Sequence, residues 1–352
     1  MLVKQLKKHF PSFEIKILDV RELFTYKIYL IINLFFIIKE YGLEILLGKK
    51  DIRNYFWRTT YIFKIIKFKI FKNIPANQYA FSIQTQSLFD ASIKGLPHFV
   101  YTDHTHLENL HYTFFDKSKL CSKAWIELES TIYKNAAINF TMSNNISKSL
   151  IKQYFCPPEK IVCIYAGNNT SVDRVDNDYI NKNILFVGID WERKGGPDLV
   201  EAFKIVLRFC PDAKLTIVGC SPKVNIKNCE VVGKVGLQET ANYYRKASVF
   251  CLPTKIEPFG IVFIEAMAFK LPVIGTRIGA IPDFIFDREN GYLIEPGDIK
   301  QLATALIDLI SNPEKCRDFG KKGAEIINSR YSWDKVGIAL KKNIGPLISK
   351  EY

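Results

Sequence analysis

The chain is poor in the residues that build covalent or metal scaffolds. Its 352 residues include 8 Cys and 5 His. Cys121, Cys156, Cys163, Cys210, Cys220, Cys229, Cys251 and Cys316 stand singly, with no CxxC pair, and several fall in apolar runs that read as core strands. A reduced cytosolic protein fits this usage better than a disulfide framework or a zinc site. The apolar run Ile28–Ile38 contains Asn33 and is only 11 residues long between Lys27 and Lys39, well short of the roughly 20 that span a bilayer. It also lacks a signal-peptide layout, because a complete polar and apolar segment precedes it. No nucleic-acid-binding motif is present, and no short-period repeat marks a solenoid.

What remains is a two-domain globular composition. A chain of 352 residues is too long for one typical core, and 48% hydrophobic with 24% charged residues is ordinary for a folded protein. The net charge of +13 is uneven: residues 1–75 hold 15 Lys/Arg against 6 Asp/Glu, a local +9. Such asymmetry points to an anionic partner. Residues 58–72 interleave Lys64, Lys67, Lys69 and Lys72 with Ile and Phe, without a clean helical or strand face. Two readings stand side by side: peripheral attachment to an anionic membrane, or a buried helix with a solvated basic rim.

Along the first half, helical and strand-like segments alternate. Val3–His9 reads as a helix end, Glu14–Val20 as a short strand, and Tyr79–Ile83 and His98–Thr102 as two more. Ala124–Ala136 reads as a helix, Asn139–Met142 as a strand, Asn145–Tyr154 as a helix with Ser143 as N-cap, and Ile161–Ile164 as a strand. The polar stretch 168–182 breaks the rhythm as a linker. A second series follows: strand Asn183–Val187, helix Pro197–Phe209, strand Lys214–Val218, strand Ala247–Pro253, a helix ending near Ala268, and strand Leu271–Ile274. The last segment, Tyr331–Ile348, reads as a helix. Repeated βα units imply parallel sheets covered by helices.

The chemistry concentrates at Glu257-Pro258-Phe259-Gly260-Ile261-Val262-Phe263-Ile264-Glu265. This loop leaves the carboxyl end of a parallel strand, where open sheets bind ligands. Gly260 lets the backbone approach a ligand, and the helix start behind it offers N–H groups to an anion. At ~1.5 Å per helical residue the two carboxylates lie about 10 Å apart along the axis, a spacing that suits a nucleotide diphosphate sugar. Two glutamates near a helix start are common on dipole grounds alone. The longer string, continuing Ala266-Met267-Ala268 and Leu271-Pro272-Val273-Ile274, resembles the signature of retaining glycosyltransferases of family 4, in the GT-B class.

The resemblance covers roughly Glu14 to the end, and is strong from Ala80 to Gly167 and through the second half. It implies an α/β GT-B architecture: two Rossmann-like domains facing across a cleft. The division is 1–167 on the acceptor side, linker 168–182, donor domain 183–330, and a helix 331–352 crossing back to the N-terminal domain. The implied activity is transfer of a sugar from a nucleotide-sugar donor to a glycan or lipid-linked acceptor with retained anomeric configuration, in cell-surface polysaccharide or glycolipid synthesis. Lys194, in the basic turn Gly188-Ile189-Asp190-Trp191-Glu192-Arg193-Lys194-Gly195-Gly196, occupies the place of the family's phosphate-binding Lys. Ile189 stands where the family tends to carry Arg, and Arg193 is the candidate to compensate. Glu265 would bind the ribose, Glu257 the sugar hydroxyls, and the backbone at Phe259, Gly260 and Ile261 the sugar or phosphate. His104 matches the family's functional His after the strand Phe99–Thr102, with His106 second. Gly219 and the turn Val231–Val235 lie near the nucleotide by the same resemblance.

No cofactor or metal is required on this reading, since side chains and a helix start neutralise the diphosphate. The location expected is cytoplasmic, peripheral on the inner face of a membrane, with no nucleic-acid partner. Two departures stand out. The family's first strand and glycine-rich loop have no counterpart before Glu14, so the first strand is absent or the start is late. Lys270 replaces the Gly that usually ends the helix, at a cost of about 1 kcal/mol if it is left-handed. Three alternatives stay open: an epimerase or phosphorylase on the same scaffold, a donor-binding protein without turnover, and a charge-driven membrane or nucleic-acid adaptor.

Overall fold

The computed structural model describes residues 1–24, 28–170, 177 and 179–348. The chain divides into two compact units. The first comprises Met1–His111, Phe115–Tyr165 and Val336–Tyr352, and the second Tyr112–Phe114 and Ala166–Lys335. Residues 171–176 and 178, within the linker read from the sequence, lie outside the described residues.

The first unit holds helices α1 (Leu2–His9), α2 (Ile28–Leu46), α3 (Ile52–Tyr55) and α4 (Thr60–Asn73), then strands β1 (Ser82–Gln84) and β2 (His98–Thr102). Helix α5 (Lys123–Asn135), strand β3 (Ile138–Thr141), helix α6 (Asn144–Lys152) and strand β4 (Ile161–Cys163) complete it. The four strands form one parallel sheet in the order β1-β2-β3-β4. Every residue of β2 is buried, the pattern of a strand covered on both faces. Against the sheet pack Trp125, Ile132 and Tyr133 of α5, Leu150 of α6, and Tyr41, Tyr55 and Phe63 from the earlier helices. Ser143 caps α6 by accepting from the Ile146 N–H, as its position before the apolar helix implied.

Two local expectations change here. Glu14–Val20 is not a strand: the carboxylate of Asp19 accepts from the backbone N–H of Arg21 at 2.9 Å and starts a 3-10 turn over Val20–Leu23. Residues 58–72, faceless by eye, form most of α4. Thr59 caps it through Ile62 N–H, and Ile62, Phe63, Ile66 and Ile70 turn inward at helical spacing while the lysines stay outside.

The second unit contains β5 (Asn183–Val187), α7 (Gly196–Phe209), β6 (Lys214–Val218), β7 (Cys229–Gly233), α8 (Leu237–Lys246), β8 (Val249–Leu252) and α9 (Ile261–Ala268). It continues with β9 (Val273–Thr276), β10 (Gly291–Ile294), α10 (Ile299–Ile310) and α11 (Pro313–Arg330). A last helix, α12 (Trp333–Ile348), starts here, and its residues from Val336 on belong to the first unit. There Gly337 passes so close to α1 that a Cβ would overlap the His9 ring. The second sheet is parallel throughout, in the order β10-β9-β8-β5-β6-β7. Lys270, just past the C-cap Phe269 of α9, has φ +56°, the left-handed position that the sequence assigns to a missing Gly.

Candidate functional site

The strand order of the second sheet fixes where a ligand can sit. From β5 the chain steps outward to β6 and β7, returns to lay β8 on the other side of β5, and steps outward again to β9 and β10. Between β5 and β8 the winding therefore reverses. Loops leaving the carboxyl ends of those two strands diverge to opposite faces of the sheet and leave a crevice, the usual ligand position in such a fold. The two loops are 188–195 after β5 and 253–260 after β8, which are the two motifs singled out in the sequence.

Hydrogen bonds join these loops backbone to backbone. Lys255 N–H donates to the Arg193 carbonyl at 2.8 Å, and the Thr254 hydroxyl donates to the same oxygen at 3.2 Å. The Arg193 guanidinium donates to the Ile256 carbonyl at 2.9 Å and to Asp190 at 3.2 Å. Gly195, at φ +74°, is the N-cap of α7, and any Cβ there would overlap the Pro253 carbonyl oxygen. Gly260, at φ +86°, is the N-cap of α9. Both helices start with glycine in the left-handed region. In α7 the Gly196 N–H already donates to the Trp191 carbonyl at 2.9 Å and Pro197 has none, so α9 is the start with first-turn N–H groups to offer.

Within this frame Lys194 Nζ and a carboxylate oxygen of Glu257 form an ion pair, although 63 residues separate them. Both side chains are nearly enclosed, at 13% and 7% exposure. Lys255 pairs with Asp198 in the first turn of α7 at 3.2 Å. Glu265 lies in the second turn of α9, buried, where the Tyr244 hydroxyl donates to it at 3.2 Å. Burial pushes its carboxyl up to about 7, so near neutral pH it exists in both protonation states. Phe259 turns its ring inward onto Phe284 and Tyr331, leaving only its backbone for a ligand. Ile261 opens α9, and Ile189 stands 76% exposed at the tip of the β5 loop.

On the other side of β5, glycines line the carboxyl edge. Gly188 N–H donates to Val218 O at 2.9 Å and Gly219 N–H to Gly233 O at 2.7 Å, while a Cβ on Gly219 would press on the Gly188 carbonyl. Val235 follows, half-buried, in the loop before α8. Lys194, Arg193, Glu257, Phe259, Gly260 and Ile261 are thus brought together on two adjoining loops. Glu265 lies one turn along α9, and Gly219 and Val235 lie at the ends of β6 and β7.

The histidines belong to the first unit and differ among themselves. His106 Nε2 accepts from the Cys121 N–H at 2.8 Å and its ring packs edge-on to Trp125, a structural role. Burial lowers its pKa to about 3 and that of His104 to about 4. Both are therefore neutral at pH 7. His104 sits directly after β2, its N–H donating to Thr102 Oγ1 at 3.3 Å. Sequence reasoning missed Asp198, Lys255, Asp190 and Tyr244. Lys255, two residues before Glu257, was the one with a local signal.

Among the described residues no three His, Cys, Asp or Glu are grouped to hold a metal ion. No helix among them is long and apolar enough to cross a membrane.

Residues 176–326 match the family described as glycosyl transferases group 1. An uncharacterized glycosyltransferase of Methanocaldococcus jannaschii is 32% identical over 189 residues, 52% of this chain and 53% of that protein. The capsular polysaccharide biosynthesis glycosyltransferase CapM of Staphylococcus aureus is 25% identical over 215 residues, 54% of this chain and 57% of its own. The chain spans about half the length of these relatives. Among solved structures, sucrose-phosphate synthase from Thermosynechococcus elongatus superposes with a TM-score of 0.66 at 20% identity, covering 82% of this chain and 79% of that one. Anabaena HepE, solved with UDP and glucose, gives 0.56 at 17% identity over 72% of each chain. At such identities the likeness is one of fold, the α/β two-domain GT-B architecture.

Proposed function

We propose that this chain, which belongs to the group 1 glycosyltransferases, moves a sugar from a nucleotide diphosphate sugar to a hydroxyl of a glycan or lipid-linked acceptor with retention at the anomeric carbon. The observation that carries the reading is the meeting of Lys194 and Glu257 at the point where the sheet reverses its winding. A cation beside the start of α9 is what a leaving diphosphate needs, because charge grows on it as the glycosidic bond breaks. A carboxylate beside it accepts hydrogen bonds from sugar hydroxyls and orients the ring.

On this proposal the donor divides the ion pair between its own parts. Lys194 turns to the diphosphate and Glu257 to the sugar. Arg193, held at Asp190 and Ile256, adds positive potential to the phosphate side. Glu265 accepts from the ribose, which favours its ionised form. The backbone at Gly260 and Ile261 meets the diphosphate or sugar, and the edge at Gly219 and Val235 meets the nucleoside. His104, by the resemblance, would stabilise the charge that builds on the sugar, and would do so as a neutral imidazole. Among the described residues we assign none as the nucleophile of a covalent double displacement, which would place a carboxylate about 5 Å from the acid. The leaving diphosphate is then the base for the acceptor hydroxyl, and no metal is needed. A role in cell-surface polysaccharide or glycolipid synthesis draws support from the likeness to CapM.

The test is a thermal-shift panel of sugar nucleotides, followed by turnover with the one that stabilises most. Release of nucleoside diphosphate that depends on an added acceptor, and that is lost in Lys194→Ala and Glu257→Gln, is the expected result. Epimerised sugar nucleotide, or phosphate-dependent cleavage, would instead assign an epimerase or a phosphorylase. Donor binding with no turnover on any acceptor would reduce the protein to a binding module.

A further inference from the structure

Helix α2 is turned inside out relative to an ordinary surface helix. Ile28, Ile31, Phe35, Ile38, Leu43 and Leu46 are between 54% and 86% exposed, and at 3.6 residues per turn they fall within an arc of about 140°. The opposite, buried side carries Asn33, Ile37 and Tyr41. Asn33 donates through Nδ2 to the Phe56 carbonyl at 2.6 Å and accepts from the Thr59 hydroxyl, and Tyr41 donates to the Arg58 carbonyl at 2.6 Å. Polar bonds thus fix the rotation of the helix, and they fix it with the apolar stripe outward. A helix in a water-soluble surface shows the reverse arrangement. The face runs about 28 Å along the helix axis.

Charge decides what covers it. The one ionic residue within the stripe is Lys39, near the Phe36 ring. The acidic residues of α2 are engaged elsewhere: Glu40 accepts from Thr60 and Ser122, and Glu44 pairs with Lys50. On α4, which packs beside α2 through the stacked rings of Phe36 and Tyr61, exposed Phe68 and Phe71 stand among Lys64, Lys69 and Lys72, while Lys67 is tied to the buried Asp90. Residues 1–75 hold 15 Lys/Arg against 6 Asp/Glu. A second copy of the chain docked on this face would bring two such basic regions together. An anionic lipid surface would neutralise them. The helix does not meet the requirement for spanning, and its apolar face with basic flanks is that of a helix lying in the plane of a membrane interface.

We infer that the outer face of α2 inserts into the surface of an anionic phospholipid bilayer, with Lys39, Lys64 and Lys72 at the headgroups. The inference does not depend on the donor reading, because its test involves no sugar transfer. The full chain is floated with phosphatidylcholine vesicles with and without phosphatidylglycerol, at low and high salt. Partition onto phosphatidylglycerol vesicles is expected, weakening in high salt. The triple variant Ile31→Ser, Phe35→Ser, Ile38→Ser is expected to lower partition by about tenfold or more with an unchanged melting temperature, since all three side chains are exposed. If that variant melts early, the pair Lys39→Glu, Lys72→Glu decides instead, and it should lower partition onto anionic vesicles specifically. A wild-type chain that stays off anionic vesicles overturns the inference. So does a wild-type dimer that the triple variant dissociates without any vesicle binding, and so does undiminished binding by either variant.

Discussion

Replacing Lys194 with Met leaves the Glu257 carboxylate without its partner in a pocket where that side chain keeps only 7% of its exposure. Removing one member of a buried ion pair costs about 3–5 kcal/mol, because the remaining charge loses both water and counter-ion. The Lys194 end retains 13% exposure, so the lower end applies, about 3 kcal/mol. For a folding unit of this size each kcal/mol moves the melting temperature by roughly 2–4 °C, giving a fall of about 6–12 °C. Glu257→Gln should cost less, about 1–2 kcal/mol, because a long lysine stem lets the ammonium reach solvent. The double variant removes the uncompensated charge altogether and should resemble Glu257→Gln, leaving a coupling energy of about 2–3 kcal/mol. Urea unfolding read through Trp191, which shares the loop of Lys194 and packs on Phe186 of β5, measures all four corners of the cycle. The same cycle run with a nucleoside diphosphate present should show ligand stabilisation in the wild type and its loss in Lys194→Met. A coupling below about 0.5 kcal/mol, the scatter of additive sites, would refute the pairing as an energetic unit.

Glu265 provides a pH test. Its folded pKa, about 7, lies above the 4.5 of an ordinary Glu, so the fold favours the protonated form. Stability from this group is fully present below pH 4.5 and is lost as pH rises through 7, a total of about 3 kcal/mol at ~1.4 kcal/mol per unit. Glu265→Gln should flatten that decline in melting curves taken from pH 5 to 8, and an unchanged slope would count against the buried carboxyl. Lys270→Gly relieves a left-handed lysine at φ +56° and should raise stability by up to about 1 kcal/mol, read as a higher melting temperature. His106→Ala removes the acceptor for the buried Cys121 N–H and should cost about 1–3 kcal/mol in urea unfolding. His104→Ala should instead lower turnover with the best donor and acceptor pair, leaving stability within about 1 kcal/mol.

The second unit was more legible than the first, for a physical reason. A parallel strand covered on both faces reads as a largely apolar run, so β5 and β6, with Ile184–Phe186 and Leu215–Val218 buried, were legible as Asn183–Val187 and Lys214–Val218 and stand there in the structure. The glycines that punctuate the loops are required by backbone contacts, as Gly195 is by Pro253. In the first unit the cues conflicted. Ile17 and Leu18 resemble strand residues but stay exposed, because Asp19 bends the chain into a turn before any neighbour pairs with it. Helix α4 hid its face because Lys, Ile and Phe alternate, and only the cap by Thr59 and the placement of Ile62, Ile66 and Ile70 reveal which side is inner. Tyr244 was out of reach of local reasoning, since its tie to Glu265 exists only once α8 and α9 are packed. So was the pairing of Lys194 with Glu257, which depends on β8 returning to the side of β5.

That return of β8 explains why so few residues define the site. The loop after β5 cannot move without the loop after β8, because Arg193 holds Ile256, Lys255 holds Arg193, and Gly195 lies flush on Pro253. The loop after β9 adds a third support, since a Cβ on Gly279 would overlap the Glu257 carbonyl. Backbone order is therefore established by folding, before any ligand arrives, and a ligand need not supply that entropy. The side-chain pair Lys194 and Glu257 is the element left to rearrange. Each of its charges is held by the other, and the proposed donor would replace that contact with phosphate on one side and hydroxyl groups on the other. A ligand with only one of these features would leave the second charge unpaired in a nearly closed site, at a cost of several kcal/mol. On the proposed reading, a molecule that joins phosphate to sugar satisfies both charges at once.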